Sequence, residues 1–398
     1  MANGLCLVAG RGKQRAARPS GPGPRATGHE TRVAGQGPRR VTSHLPLTAS
    51  HLYSDQRNMP SRYDLVPLEF DRLHRFPLSE LPGKVSVRQF GKPWSGVRAV
   101  SRFLDTLPRI LGAQDLREIV RAVVKARRGR RAIVWGIGGH VIKVGLGPVL
   151  GDLIARGYVS GLAMNGAALV HDLEIALAGK TSEDVEARLG RGRFGMAEDT
   201  GRYANDIARE ACRDGIGMGE AAGRFLGGLA RFGRARVGRG RARYPGQSVL
   251  VAAYRARVPV TVHLAIGTDT PHMHPSADGA ALGEASLRDF RLFCALVRKM
   301  QPGGLYLNWG SAVVLPEVFL KAVTAVRNLG VPLRPITTAN FDFLQHYRGR
   351  ENVVRRPTRE GGSRGYAVTG HHEILLPLVA AALAEADRGR GKRLRKQR

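Results

Sequence analysis

The stretch that decides the fold is Ala132-Ile-Val-Trp-Gly-Ile-Gly-Gly-His140, a short apolar run that ends in a glycine turn. A continuous apolar run of this length is typical of a strand buried on both faces of a parallel sheet. A helical run at 149–156 follows, and a second strand at 159–164 leads into Asn165-Gly166-Ala167 and a helix at 168–178. Strand, glycine turn, helix and strand predict one right-handed crossover unit.

The same alternation extends in both directions from this unit. Upstream, apolar residues recur at helical spacing over 115–126, with Asp115 as the expected N-cap. Downstream, the patterns predict strands at 259–266, 304–308 and 335–339, and helices at 283–300, 316–328 and 373–386. The prediction is an α/β fold with a doubly wound, mostly parallel sheet and helices on both faces, in one large domain over 59–387. Such sheets bind ligands at the carboxyl ends of their strands.

Basic residues are concentrated in three segments. The formal net charge is +31, and residues 1–58, 224–243 and 388–398 carry +7 each. The segments lack apolar periodicity, so we expect a disordered basic extension at 1–58, an Arg/Gly-rich loop at 224–243 and a disordered basic tail at 388–398. Such tails attract nucleic acid non-specifically and in a salt-dependent way.

The rest of the composition predicts a cytoplasmic protein without a membrane span. Apolar runs such as 375–383 are far shorter than the ~20 residues that a spanning helix needs. Cys6, Cys212 and Cys294 are too few and too widely spaced for a disulfide framework or a paired-cysteine metal site. This usage is typical of a reducing compartment.

Three turns at predicted strand ends are candidates for binding a phosphate or a ribose. They lie at 136–140, 165–167 and 308–312, and each is rich in Gly and small polar residues. Such turns let backbone N–H groups approach an anion closely. None contains a complete dinucleotide or Walker A pattern, and tight turns use glycine for structural reasons at least as often. Together they favour a nucleotide site modestly.

Histidines form the second group of candidates. His272 and His274 lie in a polar loop where Asp269 or Asp278 would complete a metal site. We favour the alternative that these side chains cap helices and orient the loop, so no metal is expected. His371 opens a predicted helix and either carries a proton or is an exposed cap.

Four segments, taken in order, resemble deoxyhypusine synthase, and more closely its bacterial deoxyhypusine synthase-like branch. They are Trp135 to Gly145, Met164 to Asp172, Asp278-Gly279 to Glu284, and Asn308 to Val314. The resemblance runs from about Tyr63 to Glu385 and leaves out the arginine-rich loop.

The resemblance implies a Rossmann-like homotetramer that binds NAD near the subunit interface. Enzymes of this family use NAD to oxidise spermidine, hold the aminobutyl group on a lysine as an imine and pass it to a lysine of a translation factor. By position, the resemblance implies cofactor contacts for Gly138, Gly139, His140, Asn165, Gly166, Asp278, Gly310, Ser311, Thr338, Ala339 and Asn340. It also implies polyamine contacts for Glu284 and Asp172, while His272, His274 and His371 are the candidates for moving protons.

One part of the family pattern has no counterpart here. The family's catalytic lysine lies in a Trp-Gly-Lys element, and the corresponding segment 355–366 contains no lysine. An arginine in that segment is no substitute, because a guanidinium stays protonated and is a poor nucleophile. Lys143 and Lys321 are the candidate replacements.

Three functions follow as hypotheses. The leading one is a deoxyhypusine synthase-like, NAD-dependent transferase that moves an aminobutyl group from spermidine to a protein lysine or another amine. A homospermidine synthase-like enzyme, with a small diamine as acceptor, is a close alternative. A non-catalytic NAD-binding protein of the same fold is the third, and the missing lysine is its main support.

Overall fold

The computed structural model describes residues 70–83, 85–90, 107–228 and 242–395. The chain divides into two compact units, Met1–Val66 and Pro67–Arg398, and every described residue lies in the second unit. The predicted extension at 1–58 therefore lies outside the described residues, as does 229–241 of the arginine-rich loop. No helix in the described part is both long enough and apolar enough to cross a membrane.

Strands and helices alternate along the described chain. The strands are β1 Val85–Ser86, β2 Ile133–Ile137, β3 Gly161–Asn165, β4 Lys180–Thr181, β5 Val260–His263, β6 Leu305–Trp309, β7 Thr337–Asp342 and β8 Arg364–Thr369. The helices are α1 Leu111–Arg128, α2 Gly139–Lys143, α3 Gly147–Ala155, α4 Gly166–Ala178, α5 Val185–Leu189, α6 Glu198–Asp214, α7 Met218–Leu226, α8 Val249–Arg255, α9 Gly279–Arg298, α10 Val314–Asn328 and α11 His372–Arg395. A π-helical segment spans Gly349–Arg355.

Six strands form one parallel sheet in the order β5-β3-β2-β6-β7-β8. Counted along the chain, this order is 3-2-1-4-5-6, which is the order of doubly wound dinucleotide-binding folds. The strand order reverses between β2 and β6, so the crevice expected for a ligand lies at their carboxyl ends. β1 and β4 form a separate antiparallel pair. The predicted α/β, doubly wound fold class is confirmed.

Strand β2 shows how the sequence places helices on both faces of the sheet. Ile133, Trp135 and Ile137 contribute to a core cluster that includes residues of α1, α3, α4 and α11. Val134, between them, contributes to a second cluster that includes residues of α9 and α10. Successive side chains of a strand point to opposite faces, and both faces of this strand are covered. This explains why its residues form a continuous apolar run.

Aromatic rings connect the central strands on one face. The ring of Trp309 lies parallel to that of Phe341 at 3.8 Å and to that of Trp135 at 5.7 Å between centroids. All three side chains are fully buried. The stack crosses β2, β6 and β7 and holds the ends of these strands in a fixed relation.

The structure corrects several predicted boundaries. Helix α1 begins at Leu111 with Ile110 as its N-cap, so Asp115 lies inside the helix and is not a cap. Helix α6, not predicted from the sequence, buries a face built mainly of Ala, Gly and Thr. Tyr203, Ile207 and Ala211 recur at helical spacing, so the sequence carries a helix signal that the prediction did not use.

Two of the predicted basic segments also begin or end differently. Arg224 is helical, in the last turn of α7, and its guanidinium pairs with Glu210 at 2.5 Å and with Asp214. The last helix, α11, continues to Arg395, so 388–395 is helical and not a disordered tail. Arg and Lys are good helix formers and are favourable near a helix C-terminus, which accounts for the extension.

A buried carboxylate closes the outer side of edge strand β5. Asp289 on α9 is fully buried, and its Oδ2 accepts N–H groups from Val262 at 2.8 Å and from Gly219 at 3.0 Å. Nearby, Ser286 Oγ accepts the N–H of Leu264 at 3.1 Å. Burial raises the pKa of Asp289 to about 7, although its backbone donors act in the opposite direction.

We expect Asp289→Ala to lower the free energy of unfolding by roughly 1–3 kcal/mol for each buried N–H that loses its acceptor. Asp289→Asn keeps an acceptor and does not titrate. Because the native pKa is raised, native Asp289 holds a proton that the unfolded chain releases between pH ~4 and ~7. The contribution of Asp289 to the free energy of unfolding is therefore fully present below pH ~4 and decreases as the pH rises to about 7.

Urea unfolding at a series of pH values measures this effect. The stability of the wild type relative to Asp289→Asn should fall as pH rises through that window, since other titrating groups cancel in the difference. A pH-independent difference would contradict this account of Asp289.

Candidate functional site

Two glycine turns meet at the carboxyl ends of β2 and β6. The N–H of Gly138 donates to Trp309 O at 2.8 Å, and the N–H of Gly310 donates to Phe341 O at 3.0 Å. A Cβ placed on Gly138 would lie 2.1 Å from the carbonyl oxygen of Gly310. Gly310 also has φ of 64°, in the left-handed region. Both glycines are therefore required for the backbones to approach this closely.

The predicted turn at 165–167, after β3, lies at the same site. Asn165 Oδ1 accepts the N–H of Ala168 at 3.0 Å and so caps helix α4. A Cβ on Gly139 would lie 2.9 Å from Ala167 Cβ, so the turns at 136–140 and 165–167 are in contact. The structure thus brings together the predicted positions 138–140, 165–166 and 310–311. Ser311 is buried, and its Oγ accepts the N–H of Leu315 at 3.1 Å at the start of α10.

The loop after β5 folds over the start of α4. A Cβ on Gly166 would lie 2.1 Å from Asp269 Oδ2, and that oxygen accepts the N–H of Ala265 at 3.0 Å. Burial raises the pKa of the Asp269 carboxyl, and the N–H of Ala265 opposes the shift. A carboxylate at a helix N-terminus interacts favourably with the helix dipole, so Asp269 stabilises this arrangement.

His272 and His274 have separate partners in that loop. His272 Nδ1 accepts the N–H of Gly267 at 3.2 Å, whereas His274 Nε2 lies 3.4 Å from Glu198 on α6. Burial lowers the pKa of both imidazoles. In the described ranges, no group of three or more His, Cys, Asp or Glu residues is placed to hold a metal ion. His272 thus contacts the loop itself and His274 contacts α6, which agrees with the alternative that these side chains orient the loop.

A histidine cluster lies beside the Gly310 turn. Glu373 Oε2 is 4.0 Å from His140 Nε2, and its Oε1 is 3.6 Å from His371 Nδ1. His371 is exposed and lies parallel to the ring of Phe343 at 6.3 Å. Burial lowers the pKa of His140, and the charges of His372 and Lys143 act in the same direction. The predicted residues His140 and His371 are therefore brought together.

His372 is a further member of this cluster. It is fully buried, its Nε2 lies 3.2 Å from Phe341 O, and its Nδ1 has no hydrogen-bond partner. A Cβ on Gly310 would lie 2.8 Å from His372 Cε1. The imidazole thus packs directly beneath the turn between β6 and α10, which no sequence pattern indicated.

A buried polar chain reaches the glycine turn from α4. His171 Nδ1 lies 2.7 Å from Thr181 Oγ1, which donates its only proton to Glu174 Oε2. Thr200 Oγ1 donates to the other oxygen of Glu174 at 3.1 Å. Thr181 can then only accept from His171, so Nδ1 carries the imidazole proton and Nε2 presents a lone pair.

The imidazole of His171 faces the first turn. A Cβ on Gly139 would lie 3.2 Å from His171 Cδ2, the ring atom bonded to Nε2. Burial lowers the pKa of His171 to about 4, and the charges of Lys143 and His140 contribute. At neutral pH this side chain is therefore an uncharged hydrogen-bond acceptor. Burial also raises the pKa of Glu174 to about 7, against the opposing effect of its hydroxyl donors.

Several predicted binding residues have structural contacts instead. Asp172 is fully buried, and its carboxylate accepts from Ser248 Oγ and from the N–H groups of Val249 and Leu250 at the start of α8. Asp278 caps α9 through the N–H groups of Ala280 and Ala281. Glu284 pairs with Arg288 at 2.6 Å, so its charge is already balanced. The predicted polyamine contacts of Asp172 and Glu284 stay predictions, and the proposal below does not rest on them.

Thr338, Ala339 and Asn340 lie inside the sheet. All three are buried, and β7 continues to Asp342, so these positions are short of the carboxyl end at which a ribose would bind. Thr338 Oγ1 donates to Val353 O, and Asn340 is engaged by Asn308 and Gln345. The strand ends three residues later than the sequence pattern indicated, and the cofactor role of these residues stays a prediction.

The two candidate lysines differ sharply. Lys143 is half-buried at the end of α2, the helix that follows the Gly138 turn, and its charge lowers the pKa of both His140 and His171. Lys321 is exposed on α10 and forms an ion pair with Glu317 one turn away. Lys143 is therefore the lysine used in the proposal below.

Comparisons with known proteins relate the chain to other structures at low similarity. No protein family model matches the sequence, and no curated protein matches it. Among solved structures, it is similar to AgrE in a ternary complex with ornithine and NAD+, with 18% identity over 71% of this chain and 35% of AgrE, at a TM-score of 0.42. The chain thus spans about a third of the length of that protein.

Two further structures cover more of their own length. A conserved protein of Methanococcus maripaludis S2, provisionally described as LOR/SDH, is 16% identical over 75% of this chain and 74% of its own, with a TM-score of 0.43. A protein of Entamoeba histolytica, provisionally described as a deoxyhypusine synthase, is 9% identical over 71% and 91%, with a TM-score of 0.39. At these identities the similarities assign no activity to this chain.

Proposed function

We propose that the chain binds NAD in the crevice between β2 and β6 and uses it to transfer an amine-bearing alkyl group. The observation that carries the proposal is the strand order, which reverses at the two glycine turns that meet there. In sheets of this order, dinucleotides bind at the reversal point, with the diphosphate at the first turn. The resemblance of the sequence to deoxyhypusine synthase supports the same cofactor.

The residues of the crevice fit such a ligand. Gly138 and Gly139 leave the start of α2 without side chains, and the first N–H groups of a helix have no partner within it. His140 and Lys143 lie on the helix that follows that turn, and a diphosphate would be attracted to the lysine charge. The buried Nδ1 of His372, without a partner beneath Gly310, is a further polar atom at the site.

NAD, when bound, would accept a hydride from the carbon next to the amine nitrogen and would later return it. In the proposed reaction His171 Nε2 accepts the proton that leaves the amine nitrogen. The amine of Lys143 then adds to the imine carbon and displaces the departing amine, which leaves the alkyl group on Lys143 as an imine. An acceptor amine displaces Lys143 in the same way, and the returned hydride and proton complete the product without net oxidation.

Trapping the imine tests this assignment. The full chain is incubated with NAD and spermidine, reduced with borohydride and mapped by mass spectrometry. We expect an aminobutyl adduct on Lys143, its loss in Lys143→Met, and its retention in Lys321→Met. Bound NAD without an adduct would overturn the transfer reaction and leave a non-catalytic NAD-binding protein. No NAD binding would overturn the cofactor assignment as well.

The Thr181 hydroxyl provides a second test, because it fixes the tautomer of His171. We expect Thr181→Val to slow the single-turnover formation of NADH from NAD and spermidine, measured without an acceptor amine, by at least about 10-fold while NAD affinity is unchanged, and Thr181→Ser to restore the rate. Thr324→Val, at an exposed hydroxyl on α10, is the matched control. Equal effects of the two valine substitutions would exclude a positioning role for Thr181.

We also propose that the chain forms a homo-oligomer, as the tetramer of the resembling family implies, through the loops that surround this crevice. Large apolar side chains are exposed on these loops and in the first turn of α11: Ile266 at 68%, Val313 at 51%, Leu344 at 56% and Ile374 at 63%. Such a cluster around a polar site is typical of a surface covered by a partner.

Sedimentation velocity of the double variant Leu344→Glu, Ile374→Glu measures the assembly. We expect it to be monomeric at concentrations where the wild type is assembled. Leu329→Glu, at a side chain that is 74% exposed but precedes β7 at the opposite edge, should leave assembly unchanged. An assembled double variant would show that the interface lies elsewhere.

A further inference from the structure

The amino edge of the sheet, opposite the crevice, carries a row of positive charge. The register places Ile133, Leu305, Thr337 and Arg364 side by side, so the residues that precede these strands line one edge. The exposed cations at this edge are Arg128, Arg130, Arg131, Arg255, Arg257, Arg298, Lys299, Arg334, Arg359 and Arg364.

These cations have no carboxylate partners within the described ranges. Two of the acids closest to them in sequence are engaged elsewhere: Glu118 bonds Arg121 at 2.7 Å, and Asp289 is fully buried against backbone N–H groups. Glu360 adjoins Arg359 and offsets one charge at most. The edge therefore keeps a large positive surplus, whereas cations such as Arg202 and Arg288 on other surfaces are paired.

Helix dipoles account for little of this surplus. Helices α1, α3, α8, α9 and α10 end at this edge, and each C-terminus is equivalent to about −0.5 of an elementary charge. Together they balance only a small part of the row. Moreover, Arg130 and Arg257 have φ of 52° and 54°, in the left-handed region where glycine would cost less. Local stability thus does not explain why arginine occupies these two positions.

The charged region follows one edge of the sheet. Its cations lie at the starts of β5, β2, β6, β7 and β8, and none of the ten lies at the start of β3; at ~4.8 Å per strand the edge from β5 to β8 spans about 24 Å. A cavity of about 400 Å³ lies along it between α1 and the starts of β6 to β8, and its charged lining residues are Arg121, Lys125, Arg364 and the acid Glu118. A second, of about 610 Å³, lies at the β5 end, and its charged lining residues are Arg255, Arg257 and the acid Glu220.

We propose that this amino-edge row binds the phosphate backbone of a nucleic-acid duplex. An edge of about 24 Å spans roughly seven base pairs of a duplex, which carries one negative charge per ~1.7 Å of its axis. None of the ten cations is interleaved with an exposed aromatic side chain, so the stacking that single strands require is absent from the row. The proposal is independent of the crevice at the carboxyl edge and of the basic tails.

Binding of a fluorescein-labelled DNA duplex of about two helical turns, followed by anisotropy over a salt series, tests the proposal. The variant is Arg131→Glu, Arg334→Glu, Arg364→Glu in the full chain. The matched control is Arg191→Glu, Arg291→Glu, Arg350→Glu, three exposed arginines that form no ion pair within 4.0 Å in the described part and lie away from this edge. Both variants carry the same net charge, and their thermal unfolding shows whether they fold.

We expect the amino-edge variant to lose at least 10-fold in affinity near physiological salt, and its salt slope to fall by about three because each phosphate contact contributes about 0.9. The control should change far less. Equal losses in the two variants would show that net charge alone drives binding. No loss in either would assign binding to the terminal segments, and preference for phosphatidylserine vesicles over the duplex would identify a membrane surface instead. Each of these results overturns the proposal.

Discussion

The contact between the β2 and β6 turns is the constraint on which the rest of the site depends. The turn at Gly138 and the carbonyl of Gly310 are so close that a single methyl group would separate them. Their approach aligns the ends of the two central strands and the stacked rings of Trp135, Trp309 and Phe341. It also places the start of α2 against α4, and with it the histidines that face the crevice. Geometry at this point is set by backbone, which is stiffer than any arrangement of side chains.

Much of this arrangement follows from local sequence. The apolar runs of β2, β3 and β6 are strands buried on both faces, and their glycine turns lie at one edge because the strands are parallel. The meeting of the three turns is therefore a consequence of pattern and topology. The pairing of Glu284 with Arg288 is likewise a helical i,i+4 contact, visible in the spacing of the two residues.

Other features of the site have no local signal. The chain from His171 to Glu174 depends on Thr181 in a two-residue strand and on Thr200 in the first turn of a helix whose buried face is mostly small residues. The position of Thr338 and its neighbours inside the sheet depends on where β7 ends. The strand includes the polar residues Asn340 and Asp342, so its end is not visible as the end of an apolar run. Side-chain networks between distant segments are set by tertiary packing, which periodicity does not report.

The carboxylate of Asp289 has a consequence for the behaviour of the chain in concentrated solution. An edge strand presents free N–H and C=O groups to which a strand of another molecule can add, and this is a common start of aggregation. Along β5 the outward N–H groups of Val262 and Leu264 are already taken by Asp289 and Ser286. A foreign strand would have to displace side chains anchored in α9 before it could pair. This edge of the sheet is in effect sealed against growth into a larger intermolecular sheet.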